Sequence, residues 1–340
     1  MTACTGANRD TMAKENDFET EMLAQYMTTR PDNANKYTFG SLLIIAGSRG
    51  MTGAAVLAAK ATLRAGAGLA TVACPDSERL IIASSLPEIM TFGTYTENGT
   101  FCLESSEEIL GFIASKKFST ILIGPGLSCT DNTAAFVKNI LENCCLPAVI
   151  DADALNCISR LGGFGKIKRP ENSAPVIITP HEGEAARLLG VKKIGDRKAT
   201  ARELSILCDG IAILKGPGTL VSCVSHYMRK DRLSCDYSGK HNGIEPFSEF
   251  ENCLLYRNNT GGSELAKAGS GDVLAGITAS VYMQNGLAKG FCHNTAFESS
   301  VLSVWLHGKC GQIASEKYGR RGVIASDLIE ALPQAFPMSN

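Results

Sequence analysis

One local pattern limits the fold more than any other. A short apolar run is followed by a glycine-rich turn, and the turn opens into a helical stretch. It is clearest at Leu42–Ala46, Gly47–Gly53 and Ala54–Ala65, and Gly66 marks the helix stop. Apolar runs at Leu69–Cys74, Thr120–Ile123, Ala148–Asp151, Val176–Thr179 and Ile211–Leu214 have the length of buried strands. Helical patterns fall at Asp131–Asn143, Glu182–Leu189 and Arg197–Cys208. Strands that are apolar on both faces and alternate with helices predict a parallel sheet covered on both sides. Further helices are expected at about 272–284, 290–310 and 325–332. Residues 1–20 read as a polar tail, and 225–256 as a polar surface insertion with room for a small hairpin.

Composition removes several function classes. The 340 residues carry a net charge of −1, which leaves no electrostatic footprint for nucleic acid or an anionic membrane. No apolar run approaches the ~18 residues of a spanning helix. The 13 cysteines are odd in number and form no Cys-x-x-Cys pair, so we expect reduced, mostly buried thiols in a cytoplasmic protein.

The 34 glycines cluster where the strand-like runs end, the edge at which open α/β sheets bind ligands. In Ala266-Lys267-Ala268-Gly269-Ser270-Gly271-Asp272 the small residues leave backbone N–H groups bare at the start of a helix, a phosphate cradle in the making. Asp272 there suits a base beside a hydroxyl awaiting phosphorylation, or an ordinary N-cap. No Walker Gly-x4-Gly-Lys-[Ser/Thr] occurs, and Leu274 breaks a Gly-x-Gly-x-x-Gly pattern. Gly47–Ala54 and Gly124-Pro125-Gly126-Leu127 offer close backbone approach. In Leu214-Lys215-Gly216-Pro217-Gly218-Thr219, Lys215 offers a point charge to phosphate, or sits as a solvated lysine in a β-turn. His181 and Glu184 share a face at a helix start, where Glu184 can organise hydrated Mg2+ and His181 can bond a polar substrate. Asp151 and Asp153 suit metal support or helix capping equally. His293 and His307 read as structural, and His226 and His241 have no readable role. Gly261, Gly262 and Gly276 are grouped with the ligand loops, and the Gly66/Gly68 pair is not.

Together these segments resemble the ADP- or ATP-dependent NAD(P)H-hydrate dehydratases of the ribokinase-like superfamily. The matching stretches are GSRGMTGAAVLAAKATLRAGAGLATV (47–72), LPEIM (86–90), IGPGL (123–127), VIDADALN (149–156), ITPHEGEAARLLG (178–190), LKGPGTLV (214–221), NTGGSELAKAGSGDVLAGI (259–277) and LHGKCGQIASEKYGRRGVIASDLIEALP (306–333). The resemblance implies a three-layer α/β/α fold with a central mostly parallel sheet, in one domain over about 21–335. It implies phosphorylation of the C6 hydroxyl of (6S)-NADHX or NADPHX by ADP or ATP, and elimination of phosphate to return NADH or NADPH.

By the same resemblance Asp272 is the catalytic base and Gly269, Ser270 and Gly271 form the anion hole. Ala54, Gly126, His181 and Asp272 bind the hydrate; Lys215, Gly216, Pro217, Gly218, Thr219 and Gly271 bind the nucleotide; Glu184 holds Mg2+ through water. A homo-oligomer and a separate NAD(P)HX epimerase as functional partner are further expectations. Gly262-Ser263-Glu264 departs from the family's Asn-Pro-Gly and adds a negative charge near the phosphate site, and the 225–256 insertion is longer than usual. A vitamin-type kinase of the same superfamily, or a nucleotide-binding module without catalysis, would share the phosphate loop. The TPHEGE and IGPGL-to-VIDADALN blocks look more like the dehydratase.

Overall fold

A computed structural model describes residues 23, 26, 33–224, 244–246 (backbone) and 253–336. The expected tail at 1–20 and most of the insertion, 225–243 and 247–252, lie outside the described residues, as do His226 and His241.

The elements are β1 (Ser41–Ile45), α1 (Thr52–Arg64), β2 (Leu69–Pro75), α2 (Asp76–Ser85), β3 (Met90–Thr94), α3 (Leu103–Ser115), β4 (Thr120–Ile123), α4 (Asp131–Asn143), β5 (Ala148–Ile150) and α5 (Ala152–Arg160). They continue with β6 (Ile177–Ile178), α6 (Glu182–Leu188), α7 (Arg197–Cys208), β7 (Ile211–Leu214), β8 (Leu220–Val224), β9 (Ile244–Pro246), β10 (Cys253–Arg257), α8 (Ser270–Lys289), α9 (His293–Gly322) and α10 (Ala325–Ala335). One ten-stranded sheet has the order β3-β2-β1-β4-β5-β6-β7-β8-β10-β9. Strands β1 to β7 run parallel, and β8, β10 and β9 add on antiparallel.

The alternation of side chains along each strand divides the interior in two. Leu42 and Ile44 of β1 join a core layer with α1, α8, α9 and α10. Leu43 and Ile45 join the opposite layer, built with α3 to α7. The expected three-layer arrangement is therefore present. Gly276 belongs to the core, not to a ligand loop: a β-carbon there would lie 2.3 Å from the Ala58 carbonyl oxygen. Its absence lets α8 pack against α1, and Thr62 Oγ1 donates to the Gly276 carbonyl at 3.2 Å.

Two further expectations change, and one strand was not expected. The end of the supposed insertion, Cys253–Tyr256, is buried sheet, with Leu254 and Tyr256 facing one core layer and Leu255 the other. Its four apolar residues were masked by polar neighbours. The helix expected at 290–310 runs on to Gly322, interrupted by non-helical Gly319 (φ 68°, ψ 153°). Strand β3 had no sequence signal, because an edge strand with Met90 exposed needs little apolar character. The described cysteines are all free and mostly buried, as composition suggested.

Candidate active site

The loops that follow β1, β4, β5, β6 and β7 meet at one edge of the sheet. The first two are stitched together: Gly47 N–H donates to the Pro125 carbonyl at 2.9 Å, and the Ser48 and Ser128 hydroxyls lie 2.8 Å apart. Gly126 (φ +63°) sits so close that a β-carbon would lie 2.8 Å from the Met51 oxygen and 3.1 Å from Ala54 Cβ. Ala54 and Gly126 are thus brought side by side where the two loops pack. Gly124 allows β4 and β5 to turn together, since a β-carbon would overlap the Asp151 carbonyl oxygen at 1.7 Å.

An ionic cluster occupies the middle of this edge. Lys215 Nζ donates to Asp151 Oδ1 at 2.7 Å and lies 3.8 Å from Glu184 Oε2. Thr179 Oγ1 donates to the same Asp151 oxygen at 2.6 Å. Asp151 makes no side-chain cap to its helix; it anchors a lysine that it shares with Glu184. Asp153 accepts from Ser128 N–H at 2.9 Å and ties the β4 loop to α5. His181 and Glu184 form a capping box on α6, in which His181 Nδ1 accepts from Gly183 N–H (2.9 Å) and Glu184 Oε2 accepts from His181 N–H (2.8 Å). Burial, then Lys215 and Arg187, lowers the His181 pKa, so the ring is neutral near pH 7 and Nε2 carries the proton. Burial raises the Glu184 pKa against the pull of Lys215.

Asp272 stands in the first turn of α8. Burial, with Asp151 adding repulsion against the attraction of Lys215, pushes its carboxyl up to about 7. The N-cap, Gly269, is left-handed (φ +83°) and supplies no side-chain cap. Ser270 N–H is spent on the Lys267 carbonyl at 3.3 Å, and the first helical bond is Val273 N–H to Gly269 at 3.1 Å. The N–H groups of Gly271 and Asp272 precede that bond and receive no cap, so Gly271 of the expected 269–271 set and its neighbour Asp272 present donors at the helix start. Lys215 Nζ is adjacent: a β-carbon on Gly271 would lie 3.4 Å from it.

His307, read from the sequence as structural, supports this turn. Its Nε2–H donates to the Ser270 carbonyl at 3.0 Å and lies 3.1 Å from the Ser270 hydroxyl. Burial lowers its pKa to about 4, so it acts as a neutral donor. Only the long return of α9 across the sheet brings it there, and no local motif signals it.

The expected nucleotide segment is the hairpin between β7 and β8, closed by Thr219 Oγ1 donating to the Gly216 carbonyl at 3.1 Å. Gly216 (φ +136°) and Gly218 (φ +60°) both need glycine's freedom. Glu264 is buried against Gly311 of α9, with Arg320 Nε 3.9 Å from Oε2. Among the described residues no group of three or more His, Cys, Asp or Glu is gathered to hold a metal. A separate groove of about 470 Å3, lined by Leu110, Ile113, Asn139 and Cys145, lies between α3 and α4. Cys145 precedes β5, so that groove is at the other end of the strands.

Comparison with known proteins bears on this arrangement. Residues 42–230 and 250–334 match the family model described as NAD(P)H-hydrate dehydratase. The chain is 34% identical over 313 residues to the bifunctional NAD(P)H-hydrate repair enzyme Nnr of Moorella thermoacetica, covering 89% of this chain and 50% of that protein. It is 30% identical over 308 residues to the ADP-dependent (S)-NAD(P)H-hydrate dehydratase of Neisseria meningitidis serogroup B, covering 89% of this chain and 86% of that one. The chain thus spans about half the length of the bifunctional relatives it matches. Among solved structures it is similar to the ADP/ATP-dependent NAD(P)H-hydrate dehydratase of Bacillus subtilis co-crystallised with ATP/Mg2+, with a TM-score of 0.68, 25% identity, and coverage of 93% and 95% of the two chains.

Proposed function

We propose, since the chain belongs to the NAD(P)H-hydrate dehydratase family, that it dehydrates (6S)-NADHX and NADPHX to NADH and NADPH at the expense of ADP or ATP. The observation that carries this reading is Asp272. It is a carboxylate pushed up to about 7, set beside bare helix N–H donors and the Lys215 ammonium. That is the constellation for moving a phosphoryl group onto a hydroxyl.

Asp272 takes the proton of the C6 hydroxyl, and a base is most effective when its pKa lies near the working pH. The hydroxyl oxygen attacks the terminal phosphorus, and the bond from that phosphorus to the nucleotide breaks. The N–H groups of Gly271 and Asp272 and the positive end of α8 stabilise charge on the transferred group, the main resource of phosphoryl transfer. Lys215 is held in place for the phosphates by Asp151 and Glu184. The ring nitrogen's electron pair then expels phosphate from C6, and loss of a proton from the neighbouring ring carbon restores the double bond. The backbone juncture of Ala54 and Gly126 suits a ring lying against it, and the exposed ring of neutral His181, whose Nε2 lies 3.4 Å from Glu184 Oε1, can turn its N–H to a polar group of the hydrate.

The donor set does not make a dedicated metal cage. It suits Mg2+ carried on the nucleotide phosphates, which keeps most of its water and needs only one or two carboxylates. Glu184, buried beside Lys215, would meet it through water. When bound, the ion supplies charge neutralisation on the phosphates. An epimerase acting on the same hydrates is the partner activity this reading implies, in keeping with relatives named bifunctional.

The test is recovery of reduced-nicotinamide absorbance from NADHX with Mg2+ and ADP or ATP. Recovery with either nucleotide is expected, and none with both refutes the proposal. Among the described residues no helix is long and apolar enough to cross a membrane.

A further inference from the structure

The hairpin 215–219 is flanked by three cations, and two are already committed. Lys215 is paired with Asp151 and Glu184. Arg197 packs on Gly216, is paired with Glu182, and donates to the Leu214 and Lys215 carbonyls at 3.3 and 3.5 Å. The third is Arg257, the last residue of β10. Because β10 runs antiparallel to β8, its end returns to the edge where the hairpin begins, with Arg257 opposite Leu220. Asn258 N–H donates to the Thr219 carbonyl at 2.8 Å and fixes that juncture.

The Arg257 guanidinium lies on Gly218. A β-carbon there would sit 2.7 Å from Nε, 3.2 Å from Nη2 and 3.4 Å from Cζ. Arg257 is exposed and makes no ion pair among the described residues. The guanidinium is thus exposed and packed against backbone that carries no side chain. Lys215 stands at the phosphoryl end, beside Gly271, and Arg257 stands at Gly218, three residues along the hairpin and across the sheet on β10.

We propose that Arg257 is a nucleotide-binding residue that stacks its guanidinium on the purine base of ADP or ATP. This rests on the proposed function, because it takes the hairpin as the nucleotide site. Arginine stacks on aromatic faces, and lysine does not replace it there. The residue therefore reads the part that ADP and ATP share and does not discriminate between them.

The experiment is calorimetric titration of the full chain with ADP, ATP and inorganic tripolyphosphate, using wild type, Arg257→Ala and Arg257→Lys, with matched thermal melts. The side chain is exposed, so both variants are expected to fold. Arg257→Ala should weaken ADP and ATP by about the same factor, roughly 2–30-fold for a stacking contact. Arg257→Lys should fail to restore affinity, and tripolyphosphate binding should be unmoved. Unchanged nucleotide affinity in Arg257→Ala overturns the proposal. So does a loss that is larger for ATP, is repaired by lysine and extends to tripolyphosphate, since that marks a phosphate contact. If wild type binds neither nucleotide, the functional reading falls as well; if wild type binds both and Arg257→Ala binds equally, only this inference falls.

Discussion

Replacing Asp272 by asparagine should abolish turnover and stabilise the fold. The carboxyl titrates at about 7 in the native protein, against an ordinary value of 3.8. A raised acid costs nothing below the unfolded pKa, where it is protonated in both states. As pH rises through the window from 3.8 to about 7, the unfolded chain ionises and the native chain resists. Stability falls by about 1.4 kcal/mol per pH unit across this window. The accumulated cost above pH 7 is about 4 kcal/mol, being roughly three units at 1.4 kcal/mol each. Asparagine removes the titration and keeps the shape. Urea denaturation of both proteins should show the variant more stable by several kcal/mol at pH 8, with the difference shrinking to about zero near pH 4. In thermal melts the gain at pH 8 should be roughly 5–10 °C for a domain of this size. His307 also titrates in this range, but it is common to both proteins and cancels in the difference. In the wild type, activity should fall as pH drops through about 7, when the base becomes protonated. Equal stabilities at pH 8, a gain that persists at pH 4, or undiminished turnover in the variant would refute the assignment of Asp272 as a strained base.

Lys215→Met leaves Asp151 and Glu184 buried without their shared counter-charge. Urea denaturation near pH 7 should show a loss of about 3–5 kcal/mol, and nucleotide binding by calorimetry should be lost with it. Gly126→Ala strains a left-handed residue and drives a methyl to 2.8 Å from the Met51 oxygen; about 1–3 kcal/mol of strain should appear in denaturation, and KM for the hydrate should rise more than kcat falls. His307 is held neutral, with its pKa lowered from 6.5 to about 4, so its contribution is present above 6.5 and is lost as pH falls toward 4. His307→Gln should remove about 3 kcal/mol of that acid sensitivity, read as a flatter stability profile between those pH values.

The parallel part of the fold was legible because its strands are apolar on both faces, a pattern that buried strands need and other elements seldom show. β4, α4, α7 and β7 have the bounds that the residues indicated. β10 was not legible: its apolar residues sit among polar ones, and only pairing with β8 makes them sheet. The site loops were visible for a related reason. Backbone that turns through a left-handed conformation, or packs closely on a neighbour, favours glycine, so glycine is written into the chain at 124, 126, 216, 218 and 269. Gly276 carries the same mark for a different purpose, and sequence cannot separate a ligand's approach from a helix's.

The residues themselves determined the βα order, the glycine turns and the presence of an acid at a helix start, since these depend on local conformation and on the period of burial. Tertiary structure alone decided what those residues do to one another. It set Lys215 between Asp151 and Glu184, brought His307 of α9 under Ser270, and returned β10 so that Arg257 lies on Gly218. It also made Asp272 a base near neutrality: a pKa depends on how much water is removed and which charges are near, and neither is a property of the chain until it is folded.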